Sequence, residues 1–314
     1  LTGRSGDFRV RAQGLTVLAK ACYWSDDQSG AVDFQRQALD IVEQAAACGD
    51  TCLEDEKSFN SQRTIWAFRF AQNTCRWEEA VPVFERAARA ARSWNDPALL
   101  SDSLILYAEA RMFQGEWAEA ERLAHECARA AIYAHSGLQN CYPFWLWGRA
   151  LVHSGNASRA LRELTRAIRL ARKTGDAVGL SEALISLAEA KLSQGDNDSA
   201  LQDAELAERT AAAARLDINL AWVRLWRVWI EMQADSSLAL RNIEPLHKSL
   251  ATFENLGTLS GWVCTLHGLG HALALTGRAE TAREYLELAR EKFSCWNMHW
   301  HAVRADSSLR LCAG

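Results

Sequence analysis

Apolar residues recur along this chain three or four positions apart, with polar residues between them, which is the spacing of amphipathic helices. The segment around Gly155 shows the plan. Phe144, Trp147 and Leu151 share one face of a first helix, and Ala160 begins the apolar face of a second. A glycine such as Gly155 ends a helix because it accepts the left-handed conformation of a C-cap. The pattern therefore predicts two antiparallel helices joined by a tight turn.

This plan repeats about every 40 residues, and its marker is a turn residue followed five positions later by an alanine. The alanines are Ala80, Ala120, Ala160, Ala200, Ala239 and Ala282, with spacings of 40, 40, 40, 39 and 43 residues. A small residue is needed there because packed helices approach within about 8–10 Å. The predicted fold is all-α: a right-handed superhelix (α-solenoid) of about seven helical hairpins plus a C-terminal capping helix.

The repeat assigns residues 1–314 to a single helical-repeat domain. The predicted units are 10–58 with an insertion at 48–57, then 59–98, 99–138, 139–178, 179–218, 219–258 and 259–295, and a cap at 296–314. The sixth unit is irregular, because Arg227 stands where a small residue is expected and Pro245 lies inside its second helix. We expect a kink or a change of superhelical pitch there.

The repeated positions match the tetratricopeptide pattern. The seventh unit shows it with Leu269, Gly270, the turn residue Gly277 and Ala282. That repeat has 34 residues, and about six more here lengthen the second helix and the connection. HEAT and armadillo repeats have the observed length, but the Gly-x-x-x-x-Ala turn fits tetratricopeptides better.

A 40-residue variant of this kind resembles the helical sensor domain of the maltose-type ATP-dependent transcriptional activators. It is similar also to the helical arrays of other signalling ATPases and of cyclase-linked regulators. The resemblance implies that the array senses an inducer or a partner protein, while a separate ATPase switches state. The chain has no Gly-x-x-x-x-Gly-Lys-Ser/Thr motif and begins with Leu1. We therefore expect it to be a region of a longer signalling or regulatory protein.

In tetratricopeptide arrays the first helix of each hairpin lines the concave groove, at positions 13, 10, 6 and 3 residues before the turn. This register selects as groove residues Arg69, Asp102, Glu109, Tyr142, Trp145, Arg149, Glu182, Glu189, Arg224, His267 and His271. Six residues before the turn the charges alternate, as Arg69, Glu109, Arg149 and Glu189. Two interpretations stay open: a ladder of ion pairs between repeats, or a charged groove in which Tyr142 and Trp145 anchor a peptide or sugar.

Thirteen tryptophans is a large number for 314 residues. Four of them fall on packing positions of the repeat and are predicted to be core: Trp77, Trp117, Trp147 and Trp226. Four others are less well explained by packing, namely Trp145, Trp222, Trp229 and Trp262. Two interpretations stay open for these four: an interaction surface, because tryptophan is enriched at binding hot spots, or burial in the interfaces between repeats.

Composition limits the partners. The net charge is −4 and no basic block stands out, so we expect no nucleic-acid contact by this region. No apolar run reaches the roughly 18 residues of a membrane span, so we expect no membrane insertion. Nine scattered cysteines are typical of reduced thiols in a cytoplasmic protein rather than a disulfide framework.

Metal and catalytic chemistry have weak support. His267 and His271 lie four residues apart on one helix face, while His299 and His301 diverge on a helix; neither pair supplies the three or four ligands of a metal site. No Ser/His/Asp order has a nucleophile turn. We therefore expect no metal, no cofactor and no enzymatic activity.

The leading functional hypothesis is a binding or scaffold module that engages a peptide, a partner protein or a small-molecule inducer in its concave groove. An alternative is an enzyme with an internal cavity closed by the C-terminal tail, in which Glu109, Glu189, His267 or His271 would supply the chemistry. A second alternative is a structural assembly platform, which would form a stable oligomer through exposed Trp and Leu side chains.

Overall fold

The computed structural model describes residues 5–25, 27–47, 53–134 and 140–313. Within these ranges it contains fifteen α-helices and no strand. The first eight are α1 (Ser5–Trp24), α2 (Gln28–Ala47), α3 (Leu53–Thr74), α4 (Trp77–Ser93), α5 (Pro97–Gln114), α6 (Trp117–Tyr133), α7 (Tyr142–His153) and α8 (Ala157–Thr174). The others are α9 (Ala177–Leu192), α10 (Asn197–Ala214), α11 (Asp217–Ala234), α12 (Ala239–Asn255), α13 (Leu259–Leu275), α14 (Ala279–Cys295) and α15 (His299–Leu309).

Consecutive helices pack as seven antiparallel hairpins, from α1 with α2 to α13 with α14, and α15 follows them. From α3 to α13, the first helix of each hairpin also contacts the first helix of the next. These odd-numbered helices therefore form the inner wall of the array, and the even-numbered helices form its outer layer. The predicted all-α helical-repeat array is confirmed.

The turn glycines adopt the conformation that the repeat requires. Gly115, Gly155, Gly195 and Gly277 have φ angles of 82°, 79°, 83° and 77°. In the second hairpin Cys75 occupies the equivalent position with a φ of 57°. A side chain in this region costs about 1–2 kcal/mol, so the close packing of the hairpin has to offset the strain at Cys75.

The structure modifies the prediction for the irregular units. Of the predicted insertion 48–57, residues 48–52 lie outside the described ranges, while 53–57 form the first turn of α3. Glu54 and Glu56 favour a helix start there, because acidic side chains stabilise a helix N-terminus. In the sixth hairpin Arg227 forms ion pairs with Glu208 and Glu231, and α12 continues through Pro245.

The array closes on itself. The last hairpin returns to the second, where α13 contacts α3, and α15 reaches α5. Near the start of α15, Asn297 Nδ2 donates a hydrogen bond of 2.6 Å to Glu78 Oε1 on α4. α15 also covers α13 and α14, as the predicted cap does, but it additionally connects the end of the array to its beginning.

Seven cysteines lie in the described ranges, and all seven are free thiols. Cys48 and Cys52, which the sequence places in a loop, lie outside those ranges. None of the described helices has the length and apolar character needed to cross a membrane.

Candidate ligand-binding site

A cavity of about 370 Å³ lies inside the superhelix and is walled by the inner helices α3, α5, α7, α9, α11 and α13. α15 contributes His301 to the wall. Six of the eleven groove residues selected from the sequence line this cavity, namely Arg69, Glu109, Tyr142, Trp145, Arg149 and Glu182. The cavity therefore gathers side chains from helices that are far apart in the sequence.

Two carboxylates face the cavity from either side of α7: Glu109 on α5 and Glu182 on α9. Withdrawal from bulk water raises the pKa of Glu109 to about 8; the charge of Glu182 adds to the effect and Arg149 opposes it. Burial also raises the pKa of Glu182 to about 7, against the effects of Arg149 and of a 3.1 Å hydrogen bond from Asn219 Nδ2. Both carboxyl groups titrate near neutral pH, so the charge of the cavity depends on pH.

Arg149 is held by an aromatic ring rather than by a carboxylate. Its guanidinium carbon lies 4.8 Å from the centre of the Trp226 ring, at cation–π distance. Its Nε is buried without a hydrogen-bond partner, and so is Oε2 of Glu189. Within the described part of the chain, the ladder of direct ion pairs is therefore not formed at Arg149 and Glu189. These two buried atoms have no hydrogen-bond partner within the protein. This favours the alternative interpretation, a charged binding site.

Trp145 is a core side chain whose edge reaches the cavity. It is only 3 % exposed, and its Nε1 donates a 3.0 Å hydrogen bond to Ser186 Oγ. Tyr142 packs edge-on against it, with ring centroids 5.9 Å apart. Tyr142 is half-buried and is the more accessible of the two predicted anchors.

A chain of four aromatic rings crosses the interior of the superhelix, and we call it the aromatic bridge: Trp77, Phe113, Trp222 and Phe253. Trp77 stacks on Phe113 at 4.7 Å between centroids, and Phe113 meets Trp222 edge-on at 5.6 Å. Trp222 then meets Phe253 at 4.9 Å. Since Phe113 and Trp222 both line the cavity, the aromatic bridge bounds it and joins the third hairpin to the sixth.

The structure places most of these tryptophans inside the array. Trp77, Trp147 and Trp226 are buried as predicted, and Trp117 is half-buried. Trp145, Trp222 and Trp229 are also buried, and so do not form an outer interaction surface. The reason is the closure of the array, which turns concave positions into an interior. Trp262 is half-buried and donates from Nε1 to Glu254 at 3.1 Å.

Three of the other selected charges lie away from the cavity lining. Asp102 is an exposed residue of α5. Arg224 pairs with Glu208 of α10 at 2.9 Å. Glu189 does not line the cavity either, although its charge raises the pKa of Glu182. Arg224 was selected because the sixth unit has a short 3-10 helix, Ser236–Leu238, in place of a turn glycine, which leaves the counting origin ambiguous.

His267 and His271 lie beneath α15. His267 Nε2 is 3.1 Å and His271 Nδ1 is 2.9 Å from Oγ of Ser308, and both rings lie 4.8 Å from the ring of Trp229. Burial lowers the pKa of His271 to about 4, and the charge of Arg304 acts in the same direction. These neutral rings hold α15 in place rather than face a ligand.

The groove register did not select the part of the cavity that α11 supplies, namely Ile218, Asn219, Trp222 and Trp226, although Trp222 stood out as a tryptophan less well explained by packing. Trp222 and Trp226 are four residues apart, so an aromatic stripe on one helix face was the available signal. The C-terminal tail was predicted to be a cap, and the enzyme alternative had it close an internal cavity. The contact of α15 with α5 has no signal in a single sequence, because the two helices are far apart along the chain.

The described residues contain no group of three or more His, Cys, Asp or Glu side chains arranged to hold a metal ion. Cys264 and His301 on the cavity wall are poorly suited to acid–base work near neutral pH. Burial raises the pKa of the Cys264 thiol to about 12 and lowers the pKa of His301 to about 3. Among the titratable groups of the wall, Glu109 and Glu182 are the ones whose raised pKa values lie near neutral pH.

Solved structures with the same architecture are similar to nearly the whole chain. A Rap protein complexed with competence and sporulation factor matches with a TM-score of 0.69 at 11% identity, over 98% of this chain and 85% of that one. NprR in complex with its cognate peptide NprX matches with a TM-score of 0.60 at 14% identity, over 88% and 78%. A signal transduction ATPase with a tetratricopeptide repeat sensor, from Pyrococcus horikoshii, matches with a TM-score of 0.54 at 13% identity, over 88% and 42%.

No protein-family model matches the sequence, and no curated protein sequence matches it. At identities of 11–14% the structural likeness establishes the fold alone. The chain has a tetratricopeptide-like helical-repeat fold, and its superhelix holds a cavity lined by apolar, aromatic and a few charged side chains.

Proposed function

We propose that this chain is a non-catalytic binding module that takes a short peptide, or a few residues of a partner protein, into the cavity inside its superhelix. The observation that carries the proposal is the cavity itself, whose lining includes the unpaired Nε of Arg149 and tryptophan side chains of α7 and α11. Its volume of about 370 Å³ lies within the range of ligand sites, roughly 300–1,000 Å³. A small-molecule inducer is the other occupant of suitable size.

Two of the structurally similar proteins are described with a bound factor or peptide, competence and sporulation factor for Rap and NprX for NprR. A third is described as carrying a tetratricopeptide repeat sensor. These descriptions support a sensor role for this chain. We infer that it serves as the sensor or interaction region of a cytoplasmic signalling or regulatory protein.

The enzyme hypothesis has two observations in its favour. The helix α15 closes the interior as that hypothesis requires, and Glu109, one of the groups that it names, lines the cavity with a pKa raised to about 8. Its other requirements have less support. His267 and His271 are engaged with Ser308 and lie off the cavity, and Glu189 does not line it. A binding role requires none of these three side chains. Glu109, Glu182 and Arg149 can contact a ligand from the positions that they occupy in the cavity wall.

The proposal is tested by selecting a random heptapeptide library on the immobilised chain and measuring the selected peptides by isothermal titration calorimetry. Val178 lines the cavity, and Val178→Phe should obstruct it and abolish binding. Val10→Phe is the matched control, since Val10 is 69 % exposed on α1. If no peptide is selected, or if Val178→Phe binds as well as the wild type does, the proposed function is wrong.

A further inference from the structure

The buried polar atoms of the cavity lining that lack a hydrogen-bond partner are all donors. In the described part of the chain, which includes every lining residue, they are Nε of Arg149, Nε1 of Trp117 and Nε1 of Trp222. The Trp222 side chain is only 8 % exposed. A guanidinium and an indole N–H donate hydrogen bonds and accept none. A buried donor without an acceptor costs the free energy of its desolvation, so these groups favour a ligand that supplies acceptor atoms.

Two of these donors lie along one stripe of the wall, on α11. Asn219, Trp222 and Trp226 follow each other at intervals of three and four residues and therefore share a helix face. The guanidinium carbon of Arg149 lies 4.8 Å from the centre of the Trp226 ring, which is one helical turn from Trp222. At the other end of the stripe Asn219 donates to Glu182 Oε1 at 3.1 Å. Along this stripe Trp222 therefore lies between a guanidinium and a carboxyl group.

The lining carries a net positive charge when its carboxyl groups are protonated. Its cations are Arg69 and Arg149, and its carboxyl groups are Glu109 and Glu182. Burial raises the pKa of Glu109 to about 8 and the pKa of Glu182 to about 7. At pH 6 both carboxyl groups are therefore mainly neutral, and each carries an O–H that can donate. The cavity then offers both charge and donors to an anion.

We propose that the cavity binds a carboxylate group of its ligand, which accepts hydrogen bonds from Nε of Arg149 and Nε1 of Trp222 and shares a proton with Glu109. This inference rests on the proposed peptide-binding function and names the group that the peptide must carry. The carboxylate belongs to an Asp or Glu side chain or to the carboxyl terminus. It has one charge and about four lone-pair sites, which suits one charged donor and a few neutral ones. An ammonium group at the same place would meet Arg149 and be rejected.

Binding of a carboxylate should weaken as pH rises. The charged and titratable groups that face the cavity with Glu109 are Arg69 of α3, Tyr142 and Arg149 of α7, Glu182 of α9, Cys264 of α13 and His301 of α15, whereas the lining residues of α6 and α11 are not titratable. Burial raises the pKa of Cys264 to about 12 and lowers the pKa of His301 to about 3, so both stay neutral between pH 6 and pH 8.5. Above pH 8 Glu109 and Glu182 are mainly ionised in the free chain and repel the ligand. The complex therefore takes up a proton, and its affinity falls between pH 6 and pH 8.5.

The test uses four libraries of acetylated pentapeptides that are random in apolar residues except at the central position. Three libraries are amidated and have Glu, Gln or Lys at the centre, and the fourth has Gln at the centre and a free carboxyl terminus. Retention by the chain is measured at pH 6 by size exclusion and mass spectrometry, and the best sequences are titrated by calorimetry. We expect the Glu peptides to bind at least about tenfold more tightly than their amidated Gln counterparts, and the Lys peptides to be excluded. The same gain in the fourth library alone would support the site and assign the carboxylate to the peptide terminus.

A first pair of variants tests the charged donor. Arg149→Met removes it and should abolish the preference for a carboxylate. The matched control is Arg159→Met, because the Arg159 guanidinium also lies over a tryptophan ring, that of Trp147 at 4.6 Å, but outside the cavity lining. If Arg149→Met does not fold, Trp222→Phe removes the second donor and keeps an aromatic ring in the aromatic bridge. It should weaken the preference for a carboxylate, and an unchanged preference would contradict the proposal.

A second pair of variants tests the shared proton. Glu109→Gln keeps a donor but cannot ionise, so it should bind Glu peptides at pH 6 nearly as well as the wild type and lose most of the pH dependence above pH 7. Glu244→Gln, on α12 with a side chain 77 % exposed, is the matched control and should keep the wild-type pH profile. The wild-type profile in Glu109→Gln would contradict the shared proton.

Two further outcomes separate this site from the proposed function. Equal binding of all the amidated and free-terminus peptides, lost in Val178→Phe, would overturn the carboxylate site and leave cavity binding standing. If none of the libraries is retained, the proposed function fails and the carboxylate site fails with it.

Discussion

Trp300 of α15 lies directly against the backbone of Gly115 at the end of α5: a Cβ atom added to Gly115 would lie 2.2 Å from Cβ of Trp300. The ring of Trp300 also meets Trp117 edge-on at 5.1 Å and His153 at 5.4 Å. The turn of the third hairpin therefore serves two purposes. It reverses the chain, and it receives the helix that closes the superhelix around the cavity.

Gly115 and Gly155 occupy equivalent turn positions in the repeat, but they differ in their contact with Trp300. Gly115→Ala should cost the strain of a left-handed alanine, about 1–2 kcal/mol, and a further roughly 1–3 kcal/mol for displacing Trp300. Gly155→Ala should cost the strain alone, because nothing lies within 4 Å of a Cβ at Gly155. Urea unfolding of both variants measures the difference, and equal losses of stability would mean that α15 does not dock at Gly115.

Glu109 should destabilise the empty chain at alkaline pH. Its folded-state pKa, about 8, is raised above the usual value of 4.5, so the stability that its protonated form contributes is present at low pH and is lost as pH rises from about 4.5 to about 8. Glu109→Gln cannot ionise, and it should be more stable than the wild type by about 2 kcal/mol at pH 9 and by little at pH 5. Thermal unfolding at the two pH values measures this. The same gain in Glu244→Gln would show that the effect is not specific to the cavity.

The histidines around α15 should make the fold sensitive to acid. The pKa values of His271 and His301 fall to about 4 and about 3 through burial and the charge of Arg304. A lowered pKa means that stability is present above the usual histidine range and is lost as pH falls towards 4. We expect the free energy of unfolding to drop by a few kcal/mol between pH 7 and pH 4.5.

Denaturant titrations over this range measure the loss. His301→Phe is the informative variant, because the ring of His301 already stacks on Phe293 at 5.1 Å and a phenyl ring preserves that contact. The His301→Phe variant should lose less free energy of unfolding than the wild type between pH 7 and pH 4.5. A pH profile identical to that of the wild type would assign the loss to other groups.

The repeat was readable from the sequence because its determinants are local. Gly155 and Ala160 lie within one turn, and the helix pairs they define are neighbours in the chain. The same local register placed Glu109, Tyr142, Trp145 and Arg149 on the inner face, where the structure has them. Periodicity is sufficient for such assignments, since each hairpin packs mainly on its neighbours.

The closure of the array could not be read in this way. Trp300 meets Gly115, and Asn297 meets Glu78, across large separations that depend on the summed rotation of all the repeats. A small angular change per hairpin would separate these pairs. The leading prediction was therefore a concave groove, with the burial of Trp145, Trp222 and Trp229 left open, whereas the closed array buries all three.

Binding inside the cavity can be observed through the methionines. The chain has three, and Met112 lines the cavity, while Met232 and Met298 are buried elsewhere. In a chain labelled with ¹³C at the methionine methyl groups, a selected heptapeptide at saturation should shift the Met112 signal and give nuclear Overhauser contacts to it, leaving Met232 and Met298 nearly unchanged. A saturating peptide that leaves Met112 unperturbed would contradict the claim that this cavity is the binding site.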